Sequence, residues 1–210
     1  MIAGMMRVLT VGLVLLVAAM FMLPRPSRPP ALEAATYLPQ PLVIPDVPLL
    51  GDDGVPRGLD LFRGRYSLLF FGFTHCPDVC PLTLQVLAQA RDELEATRPD
   101  LLPQVVFASV DPARDTPERI RAYADNFDPA FVGFTATEAA LAPLTKALGV
   151  AVEKHEHGGQ SYNVVHSSTV YIVGPEANVI AVSTAPHDPK KIAADFLKVR
   201  SLHEASRPAA

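Results

Sequence analysis

The sequence predicts an α/β fold in which one sheet has helices on both faces. Short runs of consecutive apolar residues, typical of buried strands, alternate along the chain with longer amphipathic segments typical of helices. The last part of the chain shows two strand patterns around a turn and then a final helix pattern. The order is therefore β-α-β, a connection, and β-β-α, which is the order of a thioredoxin-like domain. In open sheets of this kind, functional sites form at the carboxyl ends of the strands.

Composition fits one domain of ordinary size with appendages. The chain has 210 residues, of which 49% are hydrophobic, and this is ample for a core. The net charge of −4 and the absence of any block rich in Lys and Arg give no support to nucleic-acid binding. Two cysteines cannot build a disulfide framework, so any role for them must be local.

The N-terminal region is predicted to be a membrane anchor or signal (residues 1–23) followed by a tether. Residues 8–23 carry no charge, but this run is a little short for a hydrocarbon core of roughly 30 Å. The run ends in Met-Leu-Pro-Arg-Pro, which lacks the small residues of a cleavage site and so favours an uncleaved anchor over a signal peptide. Clustered prolines predict an extended tether over 24–41. The thioredoxin-like domain is then expected over 42–203, with a tail over 204–210.

Local signals set the order of the elements within the domain. Asp53-Gly54 is a strong hairpin turn. Thr116 followed by Pro gives an N-cap and a first helical residue, Thr137 caps another helix, and Gly149 ends it. The predicted elements are a hairpin over 47–62, a strand over 66–73, a helix over 83–97, a strand over 104–110, a helix over 117–127, a strand over 131–134, a helix over 138–148, an edge strand over 150–152, a polar loop over 154–161, strands over 167–173 and 179–183, and a helix over 189–202.

Both cysteines lie in one stretch, FFGFTHCPDVCP at residues 70–81. Pro81 suits the first position of a helix, which would put Cys80 near the N-cap and both Cys76 and Cys80 on a tight loop between a buried strand and a helix. Unpaired N–H groups at a helix start lower the pKa of a nearby thiol. Two ordinary buried cysteines or a static disulfide are the alternative, although so small a disulfide ring removes little chain entropy. The pattern favours a reversible disulfide or a site for a soft metal ion.

A third metal ligand must come from elsewhere in the chain. Two thiolates select Cu(I) or Zn, and imidazole is the usual companion. His166 is the best placed histidine, because it stands at the start of the strand predicted over 167–173, and the thioredoxin-like order brings that point close to the cysteine loop. His155 and His157 form an auxiliary His-x-His in a polar loop, for which a solvated loop is the simpler interpretation.

Two carboxylates are candidates for supporting this loop. Asp78, between the cysteines, could accept a hydrogen bond beside the metal ligands, although Asp is also a common turn residue. Asp111 follows the second core strand at the same sheet edge and could approach the loop, although helix entry also explains it. His75 adjoins Cys76, where it could stabilise a thiolate through its charge or face solvent.

Three motifs, FTHCPDVCP, SVDPARDTPE and VVHSSTVYIVGPEANV, occur in this order within residues 42–202. Together they closely resemble the Sco/SenC family. The resemblance implies a copper metallochaperone that delivers copper to the dinuclear copper site of cytochrome c oxidase during assembly. It also implies that Cys76, Cys80 and His166 correspond to the family's copper ligands, for Cu(I) or Cu(II).

The resemblance further implies partners and a location. The expected partners are the copper-bearing subunit of the oxidase and a thiol reductant or upstream copper donor. The expected location is the bacterial inner membrane, with a single span and the domain on the periplasmic side. The alternative function is a thiol–disulfide reductase that keeps the oxidase cysteines reduced, so enzymatic activity is left open. The Cys-x-x-x-Cys spacing and the absence of a proline before Ser167 disfavour a general oxidoreductase.

Overall fold

The computed structural model describes residues 31–156 and 162–207, with only the backbone described at 153–156 and 162–166. The strands in this part are β1 (Ala35–Val43), β2 (Leu49–Gly51), β3 (Pro56–Arg57), β4 (Ser67–Gly72), β5 (Gln104–Ser109), β6 (Val132–Thr135), β7 (Val152–Glu156), β8 (Tyr162–His166), β9 (Val170–Val173) and β10 (Asn178–Ser183). The α-helices are α1 (Val79–Thr97), α2 (Pro117–Asp125), α3 (Glu138–Leu148) and α4 (Pro189–Ser206), and short 3-10 helices occupy Leu59–Leu61 and Pro99–Leu101.

Eight of the described strands form one mixed sheet in the order β1-β10-β9-β4-β5-β6-β2-β3. Its centre is parallel, with β4 beside β5 and β5 beside β6, while β9 joins the other side of β4 in the antiparallel sense. Every residue of β4 is buried, as expected for a central strand covered on both faces. β7 and β8 pair with each other in a separate antiparallel ribbon.

Helices cover both faces of this sheet, which confirms the predicted α/β class. On one face the ring of Phe71 contacts that of Tyr171 edge-on at 5.7 Å, and the Tyr171 hydroxyl donates to the carbonyl of Leu148 in α3. On the other face Phe107 of β5 packs against Tyr123 of α2, with ring centroids 5.5 Å apart. α1 packs against α4. The loops that follow β4 and β5 leave the same edge of the sheet.

The capping signals in the sequence are confirmed. Thr116, Thr137 and Asp188 are the N-caps of α2, α3 and α4, and each side chain accepts a hydrogen bond from the backbone N–H three residues later. Gly149 ends α3 with a left-handed φ of 66°, a conformation that glycine adopts without strain. The hairpin around Asp53-Gly54 is present as β2 and β3.

Three predicted boundaries are wrong. α1 begins at Val79, so Cys80 is its second residue and Pro81 its third; the first N–H groups of a helix have no intrahelical partner, and proline is therefore tolerated there too. β9 begins at Val170 and not at Ser167. The segment predicted as a polar loop from residue 154 is partly strand, because β7 continues to Glu156 and pairs with β8. Residues 157–161 of that loop lie outside the described residues.

The sheet begins earlier in the chain than the predicted domain start at residue 42. β1 pairs with β10 and occupies part of the predicted tether, and its two prolines fall where the register shifts between Tyr37 and Leu42. A buried carboxylate fixes the start of this strand, because Asp195 of α4 accepts hydrogen bonds from the N–H groups of Glu33, Ala34 and Ala35 at 2.7–2.9 Å. At the other end α4 runs to Ser206, into the predicted tail.

Within the described ranges, no helix is both long and apolar enough to cross a bilayer. The predicted anchor at residues 1–23 and the first part of the tether lie outside these ranges.

Candidate functional site

The cysteine pair lies where β4 passes into α1, at the carboxyl end of the central strand. Cys76 is half-buried on the connecting loop, whereas Cys80 is fully buried in the first turn of the helix. The backbone N–H of Cys80 donates to the sulfur of Cys76 at 3.4 Å. Both residues are thiols in this structure. The two cysteines predicted for one strand-to-helix connection are therefore neighbours in the structure.

Gly72, the last residue of β4, makes room for the buried thiol. A Cβ atom at this position would lie 2.9 Å from the Cys80 sulfur and 2.8 Å from Cε2 of Phe107, and real Cβ atoms do not approach so closely. The sulfur of Cys80 thus rests directly against the backbone of the strand. Only glycine allows this arrangement without a shift of the thiol or of the aromatic ring.

The surroundings of Cys80 favour its protonated form. A hydrogen bond with the Cys76 sulfur raises the pKa of the Cys80 thiol above its ordinary value, and burial raises it further. This corrects the expectation that the helix start would favour a thiolate at this position, because the Cys76 sulfur and desolvation outweigh the backbone hydrogen bond from Phe73, which lowers the pKa. A metal ion that binds here must displace the proton of Cys80.

Asp115 holds the cysteine loop in place. Its carboxylate is buried, and its Oδ2 accepts hydrogen bonds from the N–H of Thr74 at 2.9 Å and from the hydroxyl of Ser109 at 2.6 Å. Its Oδ1 accepts from the hydroxyl of Thr74 at 2.6 Å. One carboxylate therefore ties the loop after β4 to the end of β5.

The hydrogen bonds of His75 continue this network to α2. Nη1 of Arg119 lies 2.9 Å from Nε2 of His75, and arginine can only donate, so Nε2 is the acceptor. The ring hydrogen then belongs on Nδ1, which lies 3.2 Å from the Thr74 hydroxyl oxygen. The hydroxyl of Thr74 in turn donates to Asp115. The imidazole beside Cys76 is therefore engaged by Arg119 and Thr74, within a chain of hydrogen bonds that ends at a buried carboxylate.

The structure places the backbone of His166 but describes no side chain for it. His166 is the last residue of β8, and its backbone is opposite Val152 of β7. Four residues later β9 begins at Val170, which pairs with Phe70 of β4. The start of β9 therefore lies at the same edge of the sheet as the loop that carries the cysteines. The side chain of His155 and all of His157 lie outside the described residues.

The two carboxylates expected near the cysteines differ in position. Asp78 is exposed at the N-cap of α1, where its side chain makes no capping hydrogen bond. Asp111 is buried and accepts a hydrogen bond from Arg114, whose guanidinium lies 5.8 Å from the centre of the Phe73 ring at the base of the loop. Among the side chains that the structure describes, no group of three or more His, Cys, Asp and Glu residues is arranged to hold a metal ion.

Sequence reasoning gave no role at this site to Asp115, Ser109 or Thr74. Asp115 stands in the motif SVDPARDTPE, where a pair with Arg114 or simple helix entry accounted for it, whereas the structure pairs Arg114 with Asp111. Its position after a buried strand, at the same sheet edge as the cysteines, was the available signal. That signal also applied to Asp111, and no local pattern separates the two carboxylates.

The SCO1/SenC family model matches residues 37–201. A SCO2-like protein of Rickettsia felis is 30% identical over 196 residues, which cover 91% of this chain and 94% of that protein. The chain spans between 40% and 52% of the length of several mitochondrial SCO proteins that it matches.

Solved structures show the same fold. The crystal structure of Arabidopsis thaliana ScoI with copper bound has a TM-score of 0.71 at 31% identity, and the match covers 76% of this chain and 99% of that one. BsSco has a TM-score of 0.63 at 22% identity over 80% of this chain and 99% of its own, and it is described as a member of the Sco family of cytochrome c oxidase assembly proteins with a disulfide switch. The thioredoxin-like architecture expected from the element order is therefore confirmed.

Proposed function

Because the chain belongs to the SCO1/SenC family, we propose that it is a copper metallochaperone that delivers copper to the dinuclear copper site of cytochrome c oxidase during assembly. Proteins of the Sco family are linked to copper binding and to assembly of this oxidase. The observation that carries the proposal is the pair of thiols at the end of β4, one half-buried and one fully buried, where the backbone N–H of Cys80 donates to the Cys76 sulfur.

The chemistry of the pair suits copper as a transient cargo. Two thiolates are soft ligands that favour Cu(I), and His166 is the proposed third ligand, also able to support Cu(II). The metal takes the place of the thiol protons, which pass to solvent, so copper uptake strengthens as pH rises toward the raised pKa of Cys80. Cys76 is the more accessible member, and it is the sulfur at which an acceptor cysteine would first reach the copper and replace a ligand.

The proposed setting follows the expectations from the sequence. Residues 1–23 would anchor the chain in the bacterial inner membrane with the domain on the periplasmic side. The copper-bearing oxidase subunit would be the acceptor, and a thiol reductant or an upstream copper donor would act before it. A reductant is required because oxidation of the pair to a disulfide removes two electrons and two protons and leaves no thiolate to bind metal.

A thiol–disulfide reductase is the second candidate function. It is favoured by the contact between the two thiols, since the hydrogen bond between Cys76 and Cys80 brings together the atoms that would form a disulfide. In that role the pair would pass two electrons to a disulfide in the oxidase subunit and would itself become a disulfide. His166 would then be dispensable.

A Cu(I) competition titration of the reduced full chain in detergent separates the two functions. We expect the wild type to bind one copper ion, and Cys76→Ser and Cys80→Ser to bind none. His166→Ala should bind copper at least about tenfold more weakly, because the metal has lost one of its surrounding groups. The affinity for copper should also increase between pH 6 and pH 8, because each thiol that binds the metal releases about one proton. Substoichiometric copper binding by the wild type, or unchanged binding by His166→Ala, would count against the chaperone. Turnover of a disulfide substrate by His166→Ala at the wild-type rate would favour the reductase.

A further inference from the structure

Tyr123 carries a buried hydroxyl whose role the proposed function does not explain. The ring lies on α2, with its centre 5.5 Å from that of Phe107 and 5.4 Å from that of Phe127. The hydroxyl oxygen is buried and has no hydrogen-bond partner among the residues that the structure describes. A buried hydroxyl without a partner costs free energy, and phenylalanine would fill the same space without that cost.

The aromatic layer that holds Tyr123 borders the buried cysteine. The Cys80 sulfur and Cε2 of Phe107 both lie within 3 Å of the point where a Cβ of Gly72 would stand, so the thiol and the Phe107 ring are neighbours. Tyr123 packs on that same ring. Burial raises the pKa of Tyr123, and negative charge on the nearby Cys80, Cys76 or Asp115 would raise it further. The phenol therefore keeps its proton beside the cysteines and is available as a donor.

We propose that Tyr123 is a positioning residue that donates a hydrogen bond to the Cys80 sulfur when this sulfur becomes a thiolate on binding copper. The inference rests on the proposed copper function. In the described state the Tyr123 hydroxyl has no hydrogen-bond partner among the described residues, and the backbone N–H of Cys80 donates to the Cys76 sulfur. When copper replaces the proton, which leaves to solvent, the buried sulfur becomes anionic. An O–H donor to such a sulfur forms a charge-assisted hydrogen bond, the stronger kind.

This hydrogen bond has two measurable consequences for the copper-bound state. It stabilises the buried thiolate, so it raises copper affinity. It also withdraws electron density from the sulfur, so it moves the sulfur-to-Cu(II) charge-transfer absorption to higher energy. A hydroxyl with a purely structural role would change neither property.

The test compares Tyr123→Phe with the wild type in the reduced full chain. We expect Cu(I) affinity, measured against a chromophoric chelator, to fall about tenfold, which is the effect of losing one hydrogen bond to a charged group. The Cu(II) charge-transfer band should move to longer wavelength. The melting temperature of the copper-free protein should be unchanged or higher, because an unsatisfied buried hydroxyl has been removed.

Tyr66→Phe is the matched control. The Tyr66 hydroxyl is hydrogen-bonded to Nδ1 of His203 at 3.0 Å, at the other end of β4 from the cysteines. This variant should lower the melting temperature and leave both copper measurements unchanged. Copper affinity and a charge-transfer band equal to wild type in Tyr123→Phe would overturn the proposal, as would a lowered melting temperature with an unchanged band. A wild type that binds no copper would instead refute the proposed function.

Replacement of Tyr123 by 3-fluorotyrosine provides a second measurement that preserves the shape of the ring and so keeps the test valid if Tyr123→Phe does not fold. The fluorinated phenol is a stronger donor, and the charge-transfer band should move to shorter wavelength, opposite to the effect of Tyr123→Phe. A band that does not move would overturn the proposal.

Discussion

Strand β4 has a cluster of polar side chains at each end, and the two clusters differ in whether their groups can still bind a ligand. At the amino end the Tyr66 hydroxyl and Nδ1 of His203 are 3.0 Å apart, Nε2 of His203 is 3.4 Å from a carboxylate oxygen of Glu176, and the guanidinium of Arg200 lies 4.8 Å from the centre of the Tyr66 ring. At the carboxyl end are two thiols and the Tyr123 hydroxyl, which has no hydrogen-bond partner in the part of the chain that the structure describes.

Burial and polarity alone therefore do not mark a functional site. Burial acts at both ends: it raises the pKa of Tyr66 to about 12, aided by the negative charge of Glu204, and it adds to the hydrogen bond with Cys76 in raising the pKa of Cys80. The amino-end groups bond to one another, and this arrangement serves the fold. At the carboxyl end, the carboxylate of Asp115 is fully engaged in hydrogen bonds that hold the loop, whereas the sulfurs can still exchange a proton for a metal ion. Substitutions at the two ends should therefore separate stability from copper binding.

Gly72→Ala should give the largest effect. The new methyl group would lie 2.9 Å from the Cys80 sulfur and 2.8 Å from Cε2 of Phe107, in a strand that is buried throughout. We expect the free energy of unfolding to fall by about 1–3 kcal/mol, the usual cost of overpacking a core. Copper affinity should fall by at least about tenfold, because the sulfur must leave its position beside Cys76. Urea denaturation and Cu(I) competition measure the two quantities.

Gly174→Ala is the matched control at the amino end of β4. A Cβ at Gly174 would meet side-chain atoms of His203, Ile180 and Glu176 at 3.2–3.4 Å, a tight fit that these side chains can relieve by small shifts. This variant should lose less stability and bind copper as the wild type does. Equal copper affinities for the two glycine variants would show that the position of the Cys80 sulfur does not control binding.

Asp115→Asn should give an intermediate effect. Both carboxylate oxygens of Asp115 accept hydrogen bonds from Thr74 or Ser109. In asparagine an NH₂ group, which can only donate, takes the place of one of these oxygens. One buried donor then loses its acceptor, and the free energy of unfolding should fall by about 1–3 kcal/mol. Because the loop after β4 is released, copper affinity should also fall, though by less than in Gly72→Ala. Urea denaturation and Cu(I) competition again provide the measurements.

Asp195→Asn is the control for Asp115→Asn. In Asp195 the Oδ1 atom accepts one hydrogen bond, from Nζ of Lys198 at 3.4 Å, whereas three backbone N–H groups at the start of β1 all donate to Oδ2. The amide oxygen of asparagine can take the place of that atom. This variant should lose some stability and no copper affinity. If Asp115→Asn destabilised the fold and left copper binding intact, the carboxylate of Asp115 would contribute only to stability, as that of Asp195 does.

The parts of this design that local patterns specify were predictable from the sequence. The apolar runs that became β4 and β5 identified the sheet, and Thr116, Thr137 and Gly149 marked helix ends to the residue because capping depends on a few adjacent positions. The spacing of Cys76 and Cys80 around a strand-to-helix connection was enough to identify the candidate site.

The remaining features depend on contacts between distant residues. Neither the direction of the Cys80 pKa shift nor the role of Asp115 can be read from neighbouring residues, since both arise from burial and from bonds between loops that the sheet brings together. β1 was assigned to a tether because its prolines argue against a strand, whereas pairing with β10 and the Asp195 carboxylate hold it at the sheet edge.

His203→Leu should have the smallest effect on copper and isolate the role of the amino end. It leaves the buried Tyr66 hydroxyl without its imidazole partner, so the free energy of unfolding should fall by about 1–3 kcal/mol. Adding Tyr66→Phe should restore part of this loss, because removal of both partners of a buried hydrogen bond is nearly neutral. All three proteins should bind copper with wild-type affinity, since β4 separates this cluster from the cysteines by six residues, about 20 Å of extended chain. A change in copper affinity in either variant would mean that the two ends of the strand are coupled and that the division between fold and function drawn along β4 is wrong.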